Sequence, residues 1–417
     1  MKIRTDYLII LALTALVNSQ GISEVVSLDG LLRKACLNNP EINSARKKHD
    51  ALNTIAGQGR TPDSPKIFID YQKMPSGGFD PGEAEEKMFG ITQMLPWPGK
   101  LYINGRIAGQ EAEIAALDEK STELEVISKL KAAYAEYFYI SKAIEIYTEN
   151  ADIMSNFSKS IESKYAAGKA SQTEALQAQV EASKMSNMLL NLKQEMETAR
   201  AMINTLTGSN PDEMLGEPEE LKPLYITETW DEIKDEVIKN NYEIKKQTAG
   251  ISKNKLMKKY GISGLLPDFE LTFRKRKMNG AWDGNDFMLG ITAPLWFWKQ
   301  AMNVRQMSYE LEMSEYEAKN AEIMAVYSAR AYFTRIETAR NLIELYKISI
   351  LPQAEQSKKA AQMAYLSGKG DFLQFLDSAR TLLSFRLDYY KNISEYYQNL
   401  AMLEKIAGVE LPAGGKK

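Results

Sequence analysis

In Asp268-Phe269-Glu270-Leu271-Thr272-Phe273-Arg274 every second side chain is apolar and those between are polar or charged, the period of a β-strand with two unlike faces. Lys66-Ile67-Phe68-Ile69-Asp70-Tyr71-Gln72 alternates in the same way with one fault, Phe68. Each is followed by a partner, Phe89-Gly90-Ile91-Thr92-Gln93-Met94-Leu95 or Phe287-Met288-Leu289-Gly290-Ile291-Thr292, with large side chains on one face and mostly small or polar ones on the other. Two strand pairs are predicted, with Gly/Pro/Asn-rich loops at 73–87 and 276–285 inside them. Elsewhere the period is helical. Residues 110–167 contain neither Gly nor Pro, enough for roughly 85 Å of continuous helix. Tyr137, Ile140, Ile144, Tyr147, Ala151, Met154, Ile161 and Tyr165 step by threes and fours, with Ser158 the one polar member. Leu189, Leu192, Met196, Ala199, Ile203 and Leu206 follow the same rule, as do Ile336, Ala339, Ile343, Tyr346 and Ile350. These seams predict antiparallel coiled-coil pairs that turn back at Gly168 and Gly368.

The pattern is written twice. Asn39-Pro40-Glu41-Ile42 answers Asn241-Tyr242-Glu243-Ile244, and Pro65 answers Pro267. Gly90-Ile91-Thr92 answers Gly290-Ile291-Thr292, Tyr165-x-x-Gly168-Lys169 answers Tyr365-x-x-Gly368-Lys369, and Thr207-Gly208 answers Ala407-Gly408. Matches in this order, at a spacing of about 200 residues, indicate a duplicated unit. The first repeat is placed at 20–207, a linker at 208–225, the second repeat at 226–410 and a flexible tail at 411–417.

Composition narrows the class. The chain has 417 residues, 44% of them hydrophobic, a net charge of −3, one Cys and one His. A disulfide framework is excluded, and Cys36 and His49 alone make no nucleophile or metal centre. No phosphate loop, nucleophile elbow or metal-ligand cluster is present, so an enzyme is not expected, and the near-neutral charge argues against a nucleic acid partner. The 19 Met include Met185 and Met188 on one helical face, read as gap-filling core of a long seam.

Met1 to Arg4 is basic and Leu8 to Val17 apolar but too short to span a bilayer, so residues 1–19 read as a signal peptide for export. No later run is long enough for a transmembrane helix, and mean hydropathy is −0.36. The apolar face of the strands still needs lipid or another core. A closed barrel is the sheet that crosses a membrane without unsatisfied edges. Trp97, Trp282, Trp296 and Trp298 flank the strands where an interfacial aromatic belt would lie.

The doubled plan, the Tyr-x-x-Gly tips at 165–168 and 365–368, and Gln93-Met94-Leu95-Pro96-Trp97-Pro98-Gly99-Lys100 after the second strand resemble the TolC-like outer-membrane efflux channels over about residues 24–410. Pro96 to Lys100 and Leu351-Pro352-Gln353-Ala354-Glu355 look like the heavy-metal-efflux branch. The resemblance implies a mainly α protein with a small β part, long helices forming an α-barrel tunnel and four strands per protomer entering a twelve-stranded barrel shared by a homotrimer. It also implies an outer-membrane protein reaching into the periplasm that acts as a passive exit duct without cofactor. A periplasmic adaptor and an inner-membrane pump would be its partners. The other class considered is an exported coiled-coil scaffold or adaptor with a small soluble sheet.

By the same resemblance the helical turns form the periplasmic tip, with Tyr165, Gly168, Lys169, Gly368 and Lys369 in adaptor contact. The family's constriction carboxylates fall at Gln374 and Asp377, with Asp371 nearby. Its closing latch, a tip Tyr bonded to a carboxylate of the other repeat, falls at Tyr365 and Glu174, while a basic residue that normally strengthens it would fall at Gly370. From the residues alone, Asp371 also reads as a helix cap, Asp377 and Glu174 as solvated acids and Tyr365 as part of the seam.

Overall fold

The computed structural model describes residues 25–74, 80–222, 225–411 and 413–414. The expected signal peptide lies outside them. The first half runs α1 (Leu28–Asn38), α2 (Pro40–Gln58), β1 (Lys66–Gln72), β2 (Glu86–Leu95), α3 (Lys100–Ala166) and α4 (Gln172–Leu206). The second runs β3 (Tyr225–Ile226), α5 (Trp230–Asn240), α6 (Tyr242–Ser263), β4 (Asp268–Met278), β5 (Ala281–Thr292), α7 (Phe297–Leu345), a π turn (Tyr346–Ile350), α8 (Leu351–Leu366), α9 (Phe372–Ala407) and β6 (Ala413–Gly414).

The repeated motifs do the same local work in both halves. Asn39 caps α2, accepting from the backbone N–H of Glu41 (2.8 Å) and Ile42 (3.1 Å), while its amide donates to the Leu206 carbonyl at the foot of α4 (2.8 Å). Asn241 likewise accepts from Ile244 N–H (3.0 Å) and donates to Ile406 O (2.7 Å). Gly208 and Gly408 end α4 and α9 at φ 71° and 72°, so close to the chain they meet that a Cβ would lie 2.6 Å from Asn38 O or 2.5 Å from Asn240 O. Each Asn and Gly pair is thus a clamp that fastens the end of a long hairpin to the short helices.

Helix α3 is 67 residues long, about 100 Å. Its predicted seam is buried at Tyr137, Ile140, Met154 and Ile161, and Ser158 is buried with them. The seam serves two neighbours, because α3 packs along both α4 and α9. The helices form a layer, with neighbours in the order α2, α3, α6, α7 near the strands and α4, α3, α9, α7–α8 toward the tips. The second long helix is interrupted where Pro352 removes a backbone donor, and Leu351 N–H reaches back to Tyr346 O in a π turn.

The four longer strands form one sheet in the order β1-β2-β4-β5, entirely antiparallel. The expected loop at 276–285 is corrected: β4 and β5 are joined by Asn279-Gly280 alone, at φ 47° and 85°, the positive angles of a tight hairpin turn. Polar flanks such as Arg276, Lys277 and Asp283 hid the strand ends there. The expected flexible tail is also corrected in part. Val26 bridges Pro218 in the linker, Leu411 is buried, and β6 pairs with β3, so these segments pack against the long helices. Residues 415–417 of the tail lie outside the described residues. Tyr134 donates to Val26 O (2.7 Å) and accepts from Glu219 N–H (2.8 Å), and Tyr396 accepts from Ile226 N–H (3.2 Å). Burial pushes both phenols up to about 12.

Candidate functional site

Two regions carry the expected functional residues, the sheet at one end and the hairpin tips at the other. In the sheet, register brings Ile67, Ile69 and Tyr71 of β1, Phe89, Ile91 and Leu95 of β2, Phe269, Leu271 and Phe273 of β4, and Phe287, Leu289 and Ile291 of β5 to one face. Most of these side chains are exposed, Ile67 at 79% and Phe287 at 70%. An exposed apolar surface of this continuity marks contact with a partner or with lipid. The opposite face is polar. Thr92 and Thr272 hydroxyls meet at 2.8 Å, Arg274 pairs with Asp286 at 3.1 Å, and Arg276 lies 3.7 Å from Glu86 and 3.5 Å from Asp283. Phe68, the fault in the alternation, belongs to this face and lies across Gly90, where a Cβ would come within 2.3 Å of its ring.

The aromatic residues mark both ends of the strands. Trp282, beside the Asn279-Gly280 turn, lies 5.8 Å from Phe89, with the Lys275 ammonium 4.6 Å from its ring centre. At the other end Trp97 stacks on Phe269 at 5.8 Å, its backbone N–H donating to the Asp268 carboxylate (2.7 Å), and Trp296 and Trp298 are exposed neighbours at 5.3 Å. The eleven-residue β4 between them reaches about 35 Å. No described helix is long and apolar enough to cross a membrane. The outer strands β1 and β5 have no partner on their far sides among the described residues.

At the tips, Gly168 and Gly368 take φ 70° and 71°, with Lys169 N–H closing on Lys164 O (2.8 Å) and Lys369 N–H on Ala364 O (2.9 Å). Tyr165, both glycines and both lysines are exposed. Tyr365 is half-buried against Phe157, Phe372 and Phe375, with ring centres 5.7, 5.8 and 6.4 Å away, and Lys164 lies 5.0 Å above its ring. Burial, then the nearby carboxylates of Glu174 and Asp371, raise the Tyr365 pKa. Glu174 itself turns back to Ser171 N–H (3.4 Å) in a capping box, and among the described residues no hydrogen bond joins it to Tyr365. Asp371 caps α9 through Leu373 N–H (3.4 Å). Gln374 and Asp377 are exposed on α9. Gly370, where a basic residue would strengthen the latch, has no room for one, since a Cβ would lie 2.9 Å from Ala364 Cβ.

The sequence reading missed two features of this end. Phe372, Phe375 and Leu376 recur at helical spacing and seal the second tip against Phe157, a partner that spacing within α9 does not reveal. Above them the buried Glu181 of α4 accepts from Arg380 of α9 (Nε, 3.0 Å), tying the two hairpins together and raising the Arg380 pKa. Met185 is buried beside Ile146 and Leu383. Among the described residues no group of three His, Cys, Asp or Glu side chains is placed to hold a metal ion.

A family model described as outer membrane efflux protein matches residues 31–209 and 236–409, one segment per repeat. The chain is 21% identical over 311 residues, 74% of either protein, to the cobalt-zinc-cadmium resistance protein CzcC of Cupriavidus metallidurans. Its fold is similar to that of the outer membrane protein VceC of Vibrio cholerae, with a TM-score of 0.77 at 15% identity over 92% of this chain and 96% of the other. It is similar also to the Campylobacter jejuni CmeC outer membrane channel, with a TM-score of 0.78 at 14% identity over 93% and 87%. With both repeats matched along almost their whole length, the chain belongs to the outer membrane efflux protein family.

Proposed function

We propose that three copies of this outer-membrane protein close their sheets into one twelve-stranded barrel and their helices into a tunnel that crosses the periplasm. The observation that carries this is the sheet with two open edges and a continuous apolar face. Open edges in lipid would leave backbone groups unsatisfied, and four strands cannot close on themselves. The flanks agree: among the described residues β1, α2 and α4 of the first repeat lack a neighbour on one side, and β5, α7 and α8 of the second on the other. A soluble scaffold is disfavoured, because among the described residues nothing covers the apolar face.

The duct is passive. It is recruited at Tyr165, Gly168, Lys169, Gly368 and Lys369 by a periplasmic adaptor and fed by an inner-membrane pump. Its cargo is divalent transition-metal cations, a reading supported by the likeness to CzcC. Asp377, with Gln374 and Asp371, lines the constriction, where three symmetric carboxylates attract cations. Tyr365 and Glu174 latch it across hairpins. Cysteine pairs along β1 and β5, in a Cys36→Ser background, test the assembly: oxidation in membranes gives a covalent ladder that ends at three chains, and a ladder ending at two, or none, refutes it. In planar bilayers Glu174→Ala with Tyr365→Phe raises conductance, and unchanged conductance counts against the latch.

A further inference from the structure

A groove of about 730 Å³ runs between α3 and α6 just beyond the strands, lined by Arg106, Lys239, Lys245, Lys255 and Lys259 and by one carboxylate, Glu113, which accepts from Gln110 at 2.7 Å. Among the described residues Arg106, Lys239, Lys255 and Lys259 form no ion pair. The other side of the same helices is neutralised: Lys246 pairs with Glu243 (2.8 Å) and Asp118 (3.5 Å), and Lys253 with Glu111 (3.7 Å). Uncompensated cations gathered along one groove repel one another, and an anion placed among them relieves that repulsion.

Backbone chirality settles which way the groove faces. The odd-numbered, apolar residues of β4 carry the ladder toward β2, which continues as Asn279 N–H to Glu85 O (3.0 Å). For L-residues in an ascending strand viewed from their side chains, that neighbour lies to the right. Helix α3, which continues β2, therefore lies to the right of α6 in the same view. The right-handed turn of α6 then brings Lys255 and Lys259 to the viewer and carries Lys246 and Lys253 away. The groove thus opens on the same side as the apolar sheet face, outside the tunnel. Exposed Tyr102, Ile262 and Leu266 separate its upper cations from the strands. Apolar strands, an apolar and aromatic collar, then unpaired Lys and Arg is the layering that a protein presents to acyl chains, interface and phosphate headgroups.

We infer that Arg106, Lys255 and Lys259 bind the phosphate of an anionic phospholipid in the periplasmic leaflet of the outer membrane. The inference rests on the apolar sheet face being lipid-facing. It is tested by native mass spectrometry on the full chain extracted from outer membranes in mild detergent, titrated with phosphatidylglycerol or with phosphatidylcholine of the same acyl chains. Wild type retains phosphatidylglycerol preferentially. Arg106→Gln with Lys255→Gln and Lys259→Gln weakens that binding roughly 100-fold, at about fivefold per charge, while Lys246→Gln with Lys253→Gln leaves it within about twofold. Equal retention by the triple variant, equal retention of the two lipids, or complete displacement by inorganic phosphate overturns the proposal. Recovery of wild type in the soluble fraction instead refutes the barrel reading on which it rests, so the two failures are distinguishable.

Discussion

Gly168 and Gly368 end their helices in one left-handed conformation, and Ser171 and Asp371 cap the helices that return from them. After the caps the tips diverge. Gln172, Ala175 and Leu176 of the first stand where the second has Phe372, Phe375 and Leu376; Leu176 is 53% exposed and Leu376 2%. Phe157 of α3 stacks on Phe372 at 5.8 Å and meets Phe375 at a tilt, 4.8 Å between ring centres, so the first hairpin supplies a wall for the second tip. The repeat preserves the backbone turn, which depends on a glycine and a cap, while the side chains that follow decide how much apolar surface each tip buries.

The comparison breaks most sharply at Phe372. Its replacement by Ala is expected to cost about 3–5 kcal/mol, read as faster hydrogen exchange confined to the second tip and a lower unfolding midpoint, whereas Leu176→Ala at the first tip changes little. Gly370→Ala comes next, at about 1–3 kcal/mol, because its Cβ meets Ala364; its counterpart Ala170 already has a Cβ, so Ala170→Gly costs under about 1 kcal/mol. Gly168→Ala and Gly368→Ala are expected to cost the same, about 1 kcal/mol each, since both have positive φ and open space around them; unequal losses in denaturant titration would show that the turns are not equivalent. The smallest effect is one of pH. The Tyr365 phenol has a raised folded pKa, so its contribution is whole below the unfolded value near 10 and is lost as pH rises through the folded value. Above about pH 10 exchange at the second tip should quicken relative to that at the first, and Tyr365→Phe should remove that difference.

Much of this was legible in residue order. Alternation located the four strands of the larger sheet but not the two-residue β3 and β6, heptad steps located the seams, and the doubled Asn and Gly motifs mark clamps seen in both halves. Phe68, a fault in the alternation, becomes regular once Gly90 lies opposite it. The tight turn was hidden because Arg276, Lys277, Asp283 and Asn285 near the hairpin end are polar, so apolar alternation fades before the strands stop. The Glu181–Arg380 tie joins residues in different repeats and leaves no periodic trace.

By itself the sequence determined the elements, their faces and their duplication, because period, caps and turn residues act over a few neighbouring positions. Tertiary structure alone decided that β2 pairs with β4, joining the two repeats into one sheet, and that α3 divides its seam between α4 and α9. It alone sealed the second tip with Phe157 and left Arg106, Lys255 and Lys259 of the α3–α6 groove without an ion pair among the described residues. Those outcomes depend on which surfaces meet across some 200 residues, and complementary packing between distant segments has no local period to read.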